Sequence, residues 1–107
     1  MMIEKRILVP TRLRRVPAQF SWVDHGLVRR GYVKKAGPQA WALYLVLVAV
    51  GDEHGLSYYG DPNLSRLLSL TMAEVAAARR QLQAAGVIAY ENPLYQVLAL
   101  DGPEGTP

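Results

Sequence analysis

Residues 70–97, "LTMAEVAAARRQLQAAGVIAYENPLYQV", admit few folds. Thr71 and Glu74 stand three apart. At that spacing a hydroxyl can accept from the third helical N–H while the carboxylate returns to the N–H of the cap. The helix they open runs to Gly86 and, at about 100° per residue, puts Val75, Ala78, Leu82 and Gly86 on one face. The strand-like runs "GVIAYE" and "YQVLAL" follow, joined by the short turn "NPL", and read as an antiparallel hairpin. A helix this short is marginal alone, so its apolar stripe must pack on other helices.

Those helices are visible upstream. Pro38 fits the first turn of a helix ending near Val50. Its Trp41, Leu43, Tyr44, Leu45, Leu47 and Val48 cover most of the circumference, which predicts a central core helix. "GDEHG" ends it and "LSYYG" is a short β-rich segment. Asp61 and Pro62 make a cap-plus-proline start for a helix carrying Leu64, Leu67 and Leu68 at helical spacing. Before Pro38 the pattern is looser. "RILVPTRLRRVP" is broken by Pro10 and Pro17 and reads as a short strand followed by an arm. In "FSWVDHGLVRRG", Ser21 is the expected cap, with Asp24 three residues on. Val23, Leu27 and Val28 share a face, Gly26 weakens the interior, and Gly31 suits the stop. The expected division is a basic arm with a short helix over 1–37, a folded unit over 38–100, and a disordered tail over 101–107.

Charge divides unevenly along the chain. Residues 1–35 hold nine Lys and Arg against Glu4 and Asp24, whereas residues 36–107 hold Arg66, Arg79 and Arg80 against seven acids. The overall +3 therefore joins a +7 segment to a −4 one. Arg12, Arg14, Arg15, Arg29, Arg30, Lys34 and Lys35 suit an arm lying along phosphates, and a solvated basic face is the plainer alternative. The absence of cysteine excludes a disulfide framework and a thiolate metal site. No apolar run approaches the roughly 18 residues of a membrane span, and the opening segment has no signal-peptide core, so a cytoplasmic protein is expected.

Helix, short strand, helix, tight turn, helix, strand, turn, strand is an order that resembles the winged helix-turn-helix domain. The resemblance is carried by "NLSRLLSLTMAEVAAARRQLQAAGVI" and spans residues 38–100. The fold class it implies is mainly α with a small antiparallel β-wing and a basic N-terminal extension. The run "ALYLVLVAVGDEHGLSYYG" further resembles small helix-turn-helix proteins found with bacterial replication initiators and mobile elements. The resemblance implies double-stranded DNA as partner, or a protein partner in a replication or transposition complex, and a homodimer is expected because one short helix with few reading groups gives little specificity alone. It places base-reading positions on Thr71, Met72, Ala73, Ala76, Ala77 and Arg80.

Alanine dominates those positions. Base edges are read by donors and acceptors, and alanine offers only a methyl contact to thymine. Arg80 and Gln83 are the best readers. Arg79 lies nearer the packed side and would reach a phosphate or an acid on the neighbouring helix. Arg66 would approach the DNA backbone or pair with Asp61 or Glu74. The hairpin supplies Asn92, Pro93 and Gln96 beside Glu91, a poor grip on phosphate. Tyr58 and Tyr59 could stack on a base, but packing on the sheet is the expected role. Trp22 and Trp41 are expected as core or interface anchors. Phe20, Trp22 and Tyr32 could dock the arm on the domain or on a second subunit.

Catalysis finds no constellation. Asp24 and His25 diverge by about 100° on a helix and cannot form a relay. Two histidines without metal spacing give a weak metal signal. No enzyme activity and no cofactor are expected. Two functions stay open: a small DNA-binding regulator or accessory factor, and an adaptor that uses the alanine face and acidic body to bind protein.

Overall fold

The computed structural model describes residues 4–100, so the expected disordered tail lies outside the described residues. Four α-helices and three strands follow one another: α1 (Gly26–Arg29), α2 (Pro38–Val50), β1 (Leu56–Tyr58), α3 (Asp61–Leu68), α4 (Met72–Ala84), β2 (Ile88–Glu91) and β3 (Leu94–Val97). Short 3-10 turns lie at Pro10–Arg12 and Tyr32–Lys35. The sheet is antiparallel in the order β1-β3-β2. Tyr95, on the central strand, faces Tyr90 of β2 on one side and Ser57 of β1 on the other.

The capping box forms as the spacing predicts. Glu74 N–H donates to Thr71 Oγ1 at 3.0 Å, and Thr71 N–H donates to Glu74 Oε1 at 2.9 Å. At the far end Gly86 takes φ +77°, a conformation costly for residues with a Cβ, and turns the chain into β2. Val75, Ala78 and Leu82 are buried and meet Leu43 and Leu47 of α2, Leu64 of α3, Val87, Ile88 and Tyr95 in one core. The hairpin turn is Asn92–Pro93, joined by a cis peptide bond.

Elsewhere the expectations need correction. Residues 4–25 are exposed throughout, and in place of a strand they hold only the Pro10–Arg12 turn. Ser21 does not cap a helix. The chain turns helical only at Gly26, where Asp24 accepts from Gly26 N–H at 2.7 Å. Gly26 is buried against Leu100, and a Cβ there would come within 3.0 Å of that side chain. Val23 and Val28 face solvent and only Leu27 of the expected stripe is buried. Leu45 and Leu67 are also exposed. The cap of α3 is Gly60, which moves Asp61 into the first turn. Tyr58 is exposed while Tyr59 packs on the core, and Trp22 stands 75% exposed while Trp41 is partly buried.

Candidate nucleic-acid interface

Three regions hold the basic residues. The arm is the most open. Val9 accepts from Arg12 N–H at 3.0 Å, and the resulting curl sets Arg12, Arg14 and Arg15 around a shallow hollow with Pro10, Thr11 and Leu13. Proline fixes φ at its start, which favours the turn without any packing partner.

The second region is built more firmly. Gly31, at φ +80°, joins α1 to the Tyr32–Lys35 turn. Tyr32 is buried, and its ring is flanked by Lys35 Nζ at 4.4 Å and the Arg30 guanidinium at 5.7 Å. Arg29 and Lys34 extend this cationic edge into solvent. Trp41 Nε1–H ties the segment to α2 by donating to Val33 O at 2.9 Å and Ala36 O at 3.2 Å. Gly37 N–H then donates to Gln81 Oε1 on α4 at 2.7 Å, and Gln39 Nε2 donates to Glu74 at 3.2 Å. These bonds tie the backbone on either side of Lys34 and Lys35 to α2 and α4, while Arg29 and Arg30 precede it at the end of α1.

The third region is α4 itself. Ala73, Arg80, Gln83 and Ala84 are exposed, Ala76 and Ala77 half-buried. Thr71 Oγ1 is occupied as the cap acceptor, which limits it as a reader of base donors. Glu74, receiving the Thr71 N–H and then the Gln39 amide, titrates below the ordinary carboxylate range. Arg66, on α3, hydrogen-bonds Asn63 Oδ1, in place of either acid expected for it. The hairpin exposes Glu91, Asn92, Pro93 and Gln96, with no cation among them.

Arg79 meets the acid of the neighbouring helix. Its Nη1 donates to Asp61 Oδ1 at 2.7 Å and to Tyr95 Oη at 2.8 Å, and its Nη2 to Asp61 Oδ2 at 3.2 Å. The guanidinium also lies 4.4 Å from the Tyr90 ring centroid. With 12% of its side chain exposed, it is tied into the protein rather than presented to a phosphate. The Asp61 hydrogen bond is the largest cause of a pKa raised above the usual arginine range. Burial pushes the Tyr95 phenol up, against the opposing pull of Arg79. The positions of Tyr90 and Tyr95 carry no local signal of this cluster, because it is assembled from α3, α4 and both hairpin strands.

No family model matches the chain, and no curated protein or solved structure matches it either. Among the described residues no cluster of His, Asp and Glu could hold a metal ion, and no helix is long and apolar enough to cross a membrane.

A further cleft was not foreseen. Phe20, Trp22, Asp24, Tyr44, Asp52 and Glu53 are among the residues around a hollow of about 430 Å³, between the arm's end and the C-terminus of α2. Asp52 Oδ1 accepts from His54 N–H at 2.8 Å and Leu56 N–H at 2.9 Å. Those two bonds, Leu56 first, lower its pKa and keep it anionic.

Proposed function

We propose that this chain is a DNA-binding protein of winged helix-turn-helix architecture, a small regulator or an accessory factor of a replication or transposition system. The order α2-β1-α3-α4-β2-β3, with a hairpin leaving the last helix, supports that architecture. The observation carrying the function is the Gly37–Gln81 hydrogen bond, which ties the backbone just after Lys34 and Lys35 to the exposed Gln81 of α4. A duplex laid against the exposed face of α4 meets phosphate-binding charge at its edge and small alanines at its centre. Arg80 and Gln83 supply what base reading there is, and the arm's Arg12, Arg14 and Arg15 reach further along the backbone. Phosphates then dominate affinity, and sequence preference is modest.

Titration of random-sequence duplex at two salt concentrations tests this. Six to ten phosphate contacts lose a factor of about 10³–10⁵ in affinity between roughly 50 and 200 mM salt. Replacing Arg12, Arg14 and Arg15 together by Ala should flatten the log–log slope by about 3. Lack of binding at the lower salt sinks the proposal. Arg80→Glu should change the ranking of sequences, whereas a uniform loss would make α4 a positioning element only. Protein binding as an adaptor is the second reading, favoured by the exposed apolar residues of the arm, Ile7, Leu8, Val9, Leu13 and Val16.

A further inference from the structure

Phosphate contact accounts for the arm's cations but not for its aliphatic side chains. Ile7, Leu8, Val9, Leu13 and Val16 are each more than half exposed, interleaved with Lys5, Arg6, Arg12, Arg14 and Arg15. An extended segment that is both apolar and cationic fits a surface that is both apolar and anionic. The cleft at the C-terminus of α2 is such a surface. Phe20, Trp22 and Tyr44 give it aromatic walls, and Asp24, Asp52 and Glu53 give it negative charge. The C-terminal end of a helix adds partial negative charge, and α2 ends there at Val50. Phe20 and Trp22 stand 66% and 75% exposed, so the rings are uncovered in the single chain. Guanidinium groups stack on aromatic faces and pair with carboxylates, and this wall offers both.

We propose that the cleft is the docking site for the N-terminal arm of a second copy of this chain, and that two copies pair by exchanging arms. Each copy then contributes residues 4–19 and the cleft walls, which reaches the about 20–30 residues per side of a standard interface. Exchange about a two-fold axis uses the same two surfaces twice and leaves neither open. The arm's five cations exceed the cleft's three acids. DNA and the cleft are thus rival anionic partners for the same segment. The pairing needs no DNA, so its failure leaves the DNA-binding proposal standing, and the reverse also holds.

Sedimentation of the full chain without DNA, across a range of concentrations, tests the pairing. A monomer–dimer equilibrium is expected. Trp22→Ala should weaken it by a factor of about thirty, the effect of losing a central aromatic anchor. Glu53→Lys should weaken it as well. Because no residue from 4 to 25 is buried, Trp22→Ala and removal of residues 1–17 should leave the circular dichroism of the body unchanged, and its Tm unchanged at concentrations where the wild-type chain is monomeric. The decisive arm mixes two chains, each monomeric alone: one with Trp22→Ala and Glu53→Lys, the other lacking residues 1–17. The first still offers an arm and the second a cleft, so the mixture should form a heterodimer. A wild-type chain that stays monomeric, as it would if the arm folded onto its own cleft, overturns the proposal. So does a dimer that survives loss of the arm, or a mixture that stays monomeric.

Discussion

Replacing Asp61 by Asn isolates the energetic role of the Arg79 cluster. The carboxylate gives Arg79 two hydrogen bonds, at 2.7 and 3.2 Å, and both side chains are mostly buried, 12% exposed for Arg79 and 27% for Asp61. At an effective dielectric of about 20, opposite charges about 4 Å apart attract by roughly 4 kcal/mol, against which desolvation of both must be set. The pair as a whole contributes little net stability. Removing one member is different, since a buried cation left without its partner costs about 3–5 kcal/mol. Tyr95 Oη and the Tyr90 ring remain near Arg79, and solvent reaches part of it, so about 2–3 kcal/mol is expected. For a domain of this size that lowers Tm by about 10–20 °C. Replacing both partners in a Tyr95→Phe background, Asp61→Leu with Arg79→Met, should cost within about 1 kcal/mol, because neither a charge nor the Tyr95 hydroxyl is then stranded. Thermal and urea unfolding followed by circular dichroism measure both variants. If the double variant loses as much as Asp61→Asn, the stranded-charge account is wrong and shape alone holds the cluster together.

Thr71→Ala should cost about 1 kcal/mol by urea unfolding, as the α4 cap is lost. Glu74, whose pKa is lowered by the Thr71 N–H, stabilises the fold fully above its unfolded pKa near 4.5. That contribution disappears as pH falls through the lower folded value, so Glu74→Gln should flatten the acid limb of the stability–pH curve. Gly55→Ala should destabilise by more than about 1 kcal/mol, since φ is +80° and the new Cβ would lie 2.7 Å from Val97 O. Ser57 Oγ is buried without a hydrogen-bond partner among the described residues, so Ser57→Ala should be neutral or raise stability by up to about 1 kcal/mol, read as a shift in Tm.

Local chemistry explains which parts of this architecture could be read from residues alone. The Thr71–Glu74 box, Pro38 and Gly86 are short-range signals, and α4, the start of α2 and the turn into β2 formed where they indicated. The strand-like runs "GVIAYE" and "YQVLAL" marked the hairpin for the same reason, although β3 begins at Leu94, inside the expected turn, and ends at Val97. Helix α2 is apolar around its whole circumference, so the pattern carries no direction, and Leu45 was wrongly assigned to the core. The arm has no period to read. The start of α1 shifted because Asp24, not Ser21, holds the first N–H. At the candidate interface the cations themselves were plain in the sequence. For Arg79 the sequence left a phosphate and an acid on the neighbouring helix both open, and tertiary packing sets it on Asp61, eighteen residues away. The acidic-aromatic cleft joins residues 20–24, 44–55 and 97–100, and no window along the chain contains it.

The bond between Gly37 and Gln81 separates the basic residues into two kinetic classes. Val33 and Gly37, on either side of Lys34 and Lys35, are pinned to α2 and α4, so an anion meeting those two lysines finds charges already spaced and need order little more than side chains. Residues 5–15 are exposed and hold only the Pro10–Arg12 turn, and fixing them costs about 1–2 kcal/mol of entropy per residue. The first set can act as a ruler and the second as a net: one decides the angle at which a polyanion rests, the other how often it is caught.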